Sequence, residues 1–453
     1  MKTGLKTIGN ATLLAYDQSK PVIVTDPWLN DHSAYFGSWT LPYKIPEDIL
    51  QDIFNAEFIW LSHGHPDHIN PDSILEFKDK TILLADHVGS RIKDNLIELG
   101  FNVKILTDRK WIKLSNKIKI FSIADYAQNS ILLIDINEHL FVNLNDSPER
   151  WWGRTIKKII KRYDNTYVLK LMGASDADMI NFYNEKGEPM PRLPETKILN
   201  GKKLYELAKY WGTTAVIPFS NFHKYQRSDT NWINEHIMKL EDYKLGFPDK
   251  GDVRYIEPFA IIDCISGEIS SINPSKTEDK IYRPEDFGDN WSDTLTKKDF
   301  NQIINYFKKK EKIKTFLGFI NFKVGGVDNI VMLNKRLKTG ITFEVPRTSL
   351  LMAIKYEIFD DLLIGNFAKT TLHNIESLYN PNFNLFLTKI ADNGRARSLK
   401  EIEIYFNAYK SRNYLDYYIE HLQSESLRYI RKIIHRNNYT TNIARSIKRL
   451  VSI

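Results

Sequence analysis

Three histidines and an aspartate fall between His63 and His68, in the segment His-Gly-His-Pro-Asp-His. A lone histidine is usually a surface residue or a hydrogen-bonded core residue, but here three of the chain's eleven histidines share one short segment. On an extended loop, side chains two residues apart project to the same side, so His63 and His65 can share one metal ion. Asp67 and His68 then turn toward a second ion. The spacing therefore predicts a ligand set for two metal ions.

The neighbouring residues favour this interpretation. Residues 56–61 form an apolar, aromatic-rich run of strand length directly before the segment, and a polar turn follows it. A metal-binding motif is expected in this context, at the end of a strand. Imidazole-rich sites suit zinc, iron or manganese, and the ligand types alone do not choose among these metals.

The pattern H-x-H-x-D-H resembles the signature of the metallo-β-lactamase superfamily. The resemblance implies a four-layer αββα sandwich with the metal site on loops at one edge of the two sheets. It also implies further site residues. Asp26, in Asp-Pro-Trp-Leu after the predicted strand 21–25, matches a carboxylate that orients the metal-binding loop, although an aspartate before proline can also be a simple turn former. Asp146, after the predicted strand 139–144, matches the aspartate that bridges both metals.

Two more ligands are expected from the same resemblance. Residues 122–127 contain no histidine where the superfamily usually has its third one, and Asp125 stands in that place. A carboxylate there makes the first site richer in oxygen and shifts its preference from zinc toward iron or manganese. A few superfamily members that bind two irons also have a carboxylate at this position. His223, after the predicted strand 214–219, is the expected final ligand, and a solvated loop histidine is the alternative.

The predicted assignment follows from these matches. One metal is held by His63, His65 and Asp125, the other by Asp67, His68 and His223, and Asp146 contacts both. Asp67 and Asp146 are also the predicted catalytic residues, and Asp26 is expected to orient the metal-binding loop without contacting the metals. A degenerate site with one metal or none is the alternative. His87 is expected at the start of a helix rather than on a metal, and Asp176 and Asp178 are weaker candidates for contact with substrate.

The chain has 453 residues, which is too long for one ordinary core and suggests two or three domains. The predicted divisions are a metallo-β-lactamase-fold domain at 1–270, a linker at 271–296 and a smaller α+β domain at 297–395. That third segment resembles a sterol-carrier-like fold. Residues 396–453 are predicted to be a basic helical extension, in which tyrosines pack on the body while arginines stay solvated. Nucleic-acid or acidic-lipid binding by this extension is the alternative.

Composition restricts the class of protein further. The chain is 42% hydrophobic and 26% charged, as in soluble globular proteins. No apolar run is long enough to span a bilayer and the start of the chain lacks a signal-peptide pattern, which predicts a cytoplasmic location. Cys264 is the single cysteine, so these residues cannot form an internal disulfide or a cysteine-ligated iron–sulfur or zinc site.

A narrower resemblance is to the metallo-β-lactamase part of CMP-N-acetylneuraminate hydroxylases. It rests on Asp-Pro-Trp-Leu, Ser-His-Gly-His-Pro-Asp-His, a small-residue turn at 173–175, and Pro218-Phe219 followed by Ser228-Asp229. Residues 359–367 resemble that family's W-D-E-L-Y-I-G-F segment, and Asn380-Pro381 falls near its D-P-D-I-Y stretch. Vertebrate-type members add a Rieske domain with paired cysteine and histidine ligands, which one cysteine cannot supply. The resemblance therefore implies an external electron donor.

Two mechanisms suit the predicted site. In the favoured one, two irons activate O₂ to hydroxylate a polar small molecule, such as an amino sugar or a nucleotide-linked compound, as the resemblance implies. In the alternative, two zinc or manganese ions lower the pKa of a water that attacks an ester, amide or phosphodiester bond. A third possibility is a metal-free binding module that uses the basic tail. The sequence does not identify the substrate.

Overall fold

A computed structural model describes residues 1–171, 180–190 and 200–422. Several sequence predictions lie outside the described residues: Asp176, Asp178, the turn at 173–175 and residues 423–453 of the predicted basic extension. The remaining predicted site residues are all within the described part. None of the helices in that part is long and apolar enough to cross a membrane.

The first part of the chain alternates short strands with a few helices. The strands are β1 (Gly4–Ile8), β2 (Thr12–Asp17), β3 (Lys20–Thr25), β4 (Trp39–Thr40), β5 (Phe58–Leu61), β6 (Thr81–Ala85), β7 (Asn102–Leu106), β8 (Trp111–Lys113), β9 (Ile118–Ala124), β10 (Ser130–Ile136), β11 (His139–Asn145) and β12 (Asn165–Leu171). The α-helices are α1 (Glu47–Asn55), α2 (Arg91–Glu98) and α3 (Gly153–Ile160). Between β5 and β6, Ser73–Phe77 form a 3₁₀-helix.

The later residues continue this pattern. Their strands are β13 (Phe182–Tyr183), β14 (Ala215–Phe219), β15 (Lys224–Tyr225), β16 (Arg254–Tyr255), β17 (Ala260–Asp263), β18 (Ile269–Ser271), β19 (Phe319–Val324), β20 (Val327–Met332), β21 (Gly340–Glu344) and β22 (Lys369–His373). Their α-helices are α4 (Asn200–Trp211), α5 (Lys297–Lys308), α6 (Arg347–Tyr356), α7 (Asp360–Ile364) and α8 (Leu399–Arg412), and Leu385–Asn393 is a π-helix. Short 3₁₀-helices lie at Asn231–Glu235, Leu240–Lys244, Pro284–Phe287 and Ile313–Thr315.

Two large sheets form the first unit. One has the strand order β18-β17-β1-β2-β3-β5-β6-β7 and the other β16-β14-β12-β11-β10-β9-β8. Successive residues of β2 point to opposite faces, so Leu13 packs between the sheets while Leu14 packs in the cluster that includes Ile53 of α1. On the far side of the second sheet, α3 and α4 bury Ile156 and Leu204. The four layers are the αββα sandwich predicted from the resemblance, which is confirmed.

A second unit follows in the chain. Its five-stranded sheet has the order β13-β22-β21-β19-β20 and packs against α5 and α6 around Phe307 and Leu350. Residues 182–183, which lie within the predicted first domain, form the parallel edge strand of this sheet beside β22. The two units are therefore interleaved in sequence.

Strand direction determines where the predicted site residues meet. Strands β3 and β5 run parallel in one sheet, and β11, β12 and β14 run parallel in the other. Parallel neighbours end at the same edge of their sheet, and loops after strand ends supply most ligand sites in such folds. Asp26, His63, Asp146 and His223 all follow these strands within a few residues. The fold thus gathers them at one edge.

Candidate metal centre

The loop after β5 is held in a fixed shape by its own backbone and by Asn70. The amides of His68 and Ile69 donate to the carbonyl of His65 at 3.0 and 2.8 Å, which closes a tight turn. The Asn70 amide group donates to the carbonyls of Ser33 and Pro66 at 2.9 and 3.1 Å. This loop therefore presents its side chains in a defined geometry without regular secondary structure.

The imidazole and carboxylate groups converge in two pairs. His63 Nε2 lies 2.9 Å from His65 Nδ1, and His68 Nε2 lies 3.2 Å from Asp67 Oδ2. Asp146 Oδ2 lies 3.6 Å from His63 Nε2 and 3.5 Å from His68 Nε2, one member of each pair. Ligand atoms bound to one metal at roughly 2.0–2.2 Å stand about 3–3.5 Å apart. The donor atoms therefore lie at separations compatible with metal binding, and Asp146 is close to a histidine of each pair.

Within the part of the chain that the structure describes, His63, His68 and Asp146 form a group whose ligand atoms lie within 4.8 Å of one another. The first two side chains are buried, and the third is partly exposed. Asp67 and His65 each join this group through one histidine. The structure thus brings together five of the seven predicted ligands.

Each histidine of the loop is held through its second nitrogen. His68 Nδ1 lies 3.0 Å from Asp26 Oδ2, and His63 Nδ1 lies 2.9 Å from Ser62 Oγ. His65 Nε2 lies 3.2 Å from Asp360 Oδ2. Such partners fix the tautomer and the ring orientation of a metal-binding histidine and raise its basicity. The nitrogens that face the centre are consequently the ones left for a metal.

Asp26 makes the contacts expected of a residue that orients the loop. It is fully buried and has a φ of 40°, a sparsely populated backbone conformation for a residue other than glycine. Its carboxylate accepts hydrogen bonds from the Ser62 amide at 2.7 Å and from the Asn145 side chain at 2.7 Å. Burial raises the pKa of Asp26, and its contacts with His68 and Ser62 oppose that rise. Asp26 thereby connects the loop after β5 to the end of β11.

His223 lies on the loop after β14, and its ring stacks on Trp39 with centroids 3.5 Å apart. The side chain is buried, yet neither ring nitrogen has a hydrogen-bond partner among the described residues. Burying unpaired polar groups is unfavourable, and a metal ion would satisfy one of these nitrogens. Burial lowers the pKa of His223 to about 4, which keeps the imidazole neutral and able to bind a metal. The nearby charge that acts on it is Asp67.

His68 Nε2 is also buried and, among the described residues, has no hydrogen-bond partner of suitable geometry, although Asp67 and Asp146 lie close to it. Burial disfavours charge on His68, but Asp67 and Asp146 raise its pKa well above the ordinary value. Burial likewise opposes ionisation of those two carboxyls, and the His68 charge holds the pKa of each below its usual range. The pocket therefore stabilises positive charge between two carboxylates. A divalent cation fits this donor set and its electrostatics.

Hydrogen bonds from the first unit fix the two carboxylates. Asp67 accepts from the Asn10 side chain at 2.9 Å and from the Tyr35 hydroxyl at 2.5 Å. Asp146 accepts from the Ser220 hydroxyl at 2.8 Å. Each carboxylate retains oxygen lone pairs for a metal, since a carboxylate can accept about four hydrogen bonds.

Asp125 lies in a different set of contacts. Its Oδ1 accepts from the amides of residues 127 and 129 at 2.8 and 3.1 Å. Its Oδ2 accepts from the Ser147 hydroxyl at 2.7 Å and from Arg150 Nη1 at 3.0 Å. Asp125 is not in the group of converging donor atoms within the described residues. Its charge is already compensated by a guanidinium and three neutral donors.

The centre opens to solvent on one side. Asp146 and His65 have side-chain exposures of 21% and 15%, against 1% or less for His63 and His68. Lys389 of the π-helix lies at the same side, with its Nζ 2.6 Å from His65 Nε2. Asp146, His65 and Lys389 therefore line the exposed side of the centre.

Sequence reasoning missed several residues of this centre, above all Asp360 and Lys389 from the second unit. Asp360 lies within residues 359–367, which were recognised as a motif but given no role. That motif was the available signal, because two acidic residues open an otherwise apolar segment. Lys389, Trp39 and Tyr35 carried no comparable signal.

Comparison with known proteins gives several sequence relatives. No protein-family model matches the chain. The cytidine monophosphate-N-acetylneuraminic acid hydroxylase of Asterias rubens is 26% identical over 143 residues, which are 29% of this chain and 22% of that protein. The Mus musculus protein of the same name is 22% identical over 256 residues, which are 51% of this chain and 43% of that protein. The chain spans less than half the length of these two relatives, and the resemblance predicted from the motifs is confirmed.

Solved structures also match. Igni18, a metallo hydrolase from Ignicoccus hospitalis, has a TM-score of 0.37 and 14% identity, with 60% of this chain and 98% of that chain covered. CmlA, a diiron β-hydroxylase from Streptomyces venezuelae, has a TM-score of 0.34 and 16% identity, with 56% and 48% covered. At these TM-scores the structural matches bear on neither the reaction nor the substrate.

Proposed function

We propose that the protein is a binuclear metal-dependent oxygenase that hydroxylates a small polar molecule. The observation that carries a binuclear centre is the convergence of two donor pairs with the Asp146 carboxylate at 3.6 and 3.5 Å from one member of each. The buried ring nitrogens of His223, which have no hydrogen-bond partner in the described part of the chain, support it independently. The choice of oxygenase is supported by the sequence similarity to hydroxylases over half of the chain.

The predicted ligands divide between two metals in this proposal. His63 and His65 would hold one metal, Asp67, His68 and His223 the other, and Asp146 both. Asp125 would join the first metal only by exchanging a hydrogen bond such as the one from Ser147, the residue next to Asp146. Asp26 holds His68 through Nδ1 and keeps its Nε2 directed at the centre.

In the proposed reaction, one O₂, two electrons and two protons convert a C–H bond of the substrate to C–OH and release one water. Two irons would supply the O₂ activation when bound. Asn10 and Tyr35 hold Asp67 in place, and Ser220 holds Asp146, so neither carboxylate must reorganise during the reaction. These 453 residues contain one cysteine, so the electrons would come from an external donor.

A second candidate is a di-zinc or di-manganese hydrolase of an ester, amide or phosphodiester bond. The contacts of Asp125 favour it, because a first site without that carboxylate keeps two imidazoles and the shared Asp146. Such a set is less oxygen-rich and suits zinc. Zinc or manganese would lower the pKa of a water for attack on the substrate.

Metal analysis separates these functions. The protein is purified without chelator, its metals are measured by elemental analysis, and an optical spectrum is recorded before and after reduction. About two irons per chain and a band that bleaches on reduction are expected for the oxygenase. Zinc or manganese with no redox-sensitive band would overturn the oxygenase and support the hydrolase. Protein without metal would leave only a binding module.

A further inference from the structure

The second unit reaches the metal centre through two side chains. Asp360, the first residue of α7, places Oδ2 3.2 Å from His65 Nε2. Lys389, on the π-helix, places Nζ 2.6 Å from the same nitrogen and 3.4 Å from Asp360 Oδ2. Asp360 is 2% exposed, so this contact is shielded from water. A predicted metal ligand of the first unit is therefore held by residues 295 and 324 positions later in the chain.

The two partners of His65 Nε2 need different tautomers. A protonated Nε2 donates to Asp360, whereas an unprotonated Nε2 accepts from Lys389, and one nitrogen cannot do both. His65 Nδ1 faces His63 Nε2 in the centre, so a metal there would bind Nδ1 and leave the proton on Nε2. Asp360 is thus the partner of the metal-binding tautomer, and Lys389 then pairs with Asp360.

The positions of both residues are fixed by packing. Leu362 and Leu363 of α7 are buried in the core of the second unit, and the Ser38 hydroxyl of the first unit donates to the Gly365 carbonyl at 2.8 Å. The π-helix is anchored at Asp392, which bonds to the Tyr306 hydroxyl at 2.6 Å and pairs with Lys310. π-Helical segments occur frequently at functional sites.

The π-helix is also tied to the first unit. Arg91 of α2 donates from Nε to the Asn393 side chain at 2.9 Å. The Arg91 Nη1 group donates to the carbonyl of Tyr356 in the second unit at 2.7 Å. Asp360 and Lys389 are consequently held against His65 by rigid elements on both sides.

Two histidines of the centre are each oriented by a carboxylate on the ring nitrogen that faces away from the centre. In the first unit, Asp26 holds His68 through Nδ1 while Nε2 faces inward. Across the units, Asp360 holds His65 through Nε2 while Nδ1 faces inward. Each of the two donor pairs therefore contains one histidine that a buried carboxylate orients.

We propose that Asp360 is a positioning residue of the metal centre, which holds His65 with Nδ1 toward the metal and makes one of the two metal positions dependent on the second unit. This inference rests on the metal centre of the proposed function, but not on which reaction it catalyses. It assigns a role to residues 359–367 that the αββα sandwich alone does not supply.

Cobalt binding tests the proposal without an activity assay. The full chain, stripped of metal, is titrated with Co²⁺ under anaerobic conditions while the visible absorption and the bound cobalt are measured. Asp360→Ala is expected to weaken one of about two cobalt sites by roughly 10- to 100-fold and to leave the other unchanged. The cobalt affinity of Asp360→Asn should lie between those of Asp360→Ala and the unchanged protein, because the amide oxygen of Asn still accepts from Nε2–H of His65 but carries no charge.

Asp361→Asn is the matched control. Asp361 is the next residue in α7 and is 3% exposed, and its Oδ1 has no hydrogen-bond partner in the described part of the chain. The control should bind cobalt as the unchanged protein does. Equal binding by Asp360→Ala, or equal weakening in Asp361→Asn, would overturn the proposal. An unchanged chain that binds no cobalt would overturn the metal centre itself. Two cobalt sites in a protein that is purified with zinc or manganese and has no redox-sensitive band would overturn only the oxygenase reaction.

Discussion

His87 and His223 lie in two regions where burial lowers the pKa of a histidine, but the two side chains differ in their hydrogen-bond partners. Burial lowers the pKa of each ring to about 4. His87 Nδ1 lies 3.1 Å from the Tyr409 hydroxyl and its Nε2 2.9 Å from Ser130 Oγ, so both nitrogens are used. His223 is more fully buried and has no hydrogen-bond partner on either nitrogen among the described residues. The number of protein partners, rather than the pKa, distinguishes a structural histidine from a candidate ligand.

The region around His87 is a network built by α8. Gln128 donates to the hydroxyls of Tyr405 and Tyr409 at 2.8 and 3.2 Å, and Tyr405 donates to the carbonyl of Tyr126 at 2.7 Å. This network closes on itself and needs no ion. The metal centre, in contrast, leaves nitrogens and carboxylate oxygens directed at a common space.

The largest effect is expected from Asp146→Ala. Because Asp146 reaches one residue of each donor pair, its removal should lower metal content from about two ions per chain to less than one. Activity should fall on the order of 1,000-fold or more, since the residues of such a centre act as a unit. Elemental analysis and turnover measure both effects. Asp135→Ala is the control, because Asp135 is a buried aspartate of β10 that bonds to Tyr163 and Lys119.

Asp135→Ala should keep both metals and lose only stability. An Asp146→Ala protein that retains two ions would show that the convergence of donors around Asp146 does not represent a metal centre, and the contrast between the two histidine regions would lose its meaning.

Substitution of His87 and His223 tests the contrast directly and should give opposite results. His223→Ala should lose about one metal, with roughly 100-fold weaker binding at that position. His87→Ala should keep both metals but lose about 1–3 kcal/mol of unfolding free energy, because Tyr409 and Ser130 each lose a partner. Metal analysis and denaturant unfolding of the metal-free proteins measure the two quantities. Loss of metal in His87→Ala would contradict the distinction.

The first unit could be predicted because its signals are local in sequence. Four site residues lie in one loop, and Asp26 and Asp146 directly follow short apolar runs that can be recognised as strands. Parallel neighbours then bring strand ends to one edge. The αββα arrangement was implied by the resemblance that this loop carries, and the closeness of His63, Asp67 and His68 follows from their spacing in the loop.

The contacts of Asp125 and Asp360 could not be predicted, because they depend on which distant side chains reach these carboxylates in the folded chain. The sequence gives the position of Asp125 after β9, but it does not show that Arg150, on a later loop, forms an ion pair with its carboxylate. The contact of Asp360 with His65 depends on how the second unit packs on the first, and no local pattern encodes that packing. The role of Asp125 as a ligand stays a prediction, as do the roles of Asp176 and Asp178.

The smallest expected effect concerns stability against pH in the metal-free protein. The lowered pKa of His87 means that the unfolded chain binds more protons than the folded one between about pH 6.5 and 4. This contribution to unfolding free energy is therefore complete above pH 6.5 and is lost as the pH falls toward 4. His87→Gln, whose amide can still bond to Tyr409 and Ser130, should flatten the profile by about 2 kcal/mol, less than the full shift implies because the ring is partly exposed.

His223→Gln should flatten the profile of the metal-free protein in a similar way, since the same burial lowers its pKa. Adding metal should separate the two histidines. A metal competes with protons for His223, so the metal-loaded protein should lose more stability on acidification than the metal-free protein. This difference is expected both in the unchanged protein and in His87→Gln. His223→Gln should lack most of this metal-dependent part. If both variants kept it equally, His223 would not be a ligand and would differ from His87 only in lacking hydrogen bonds.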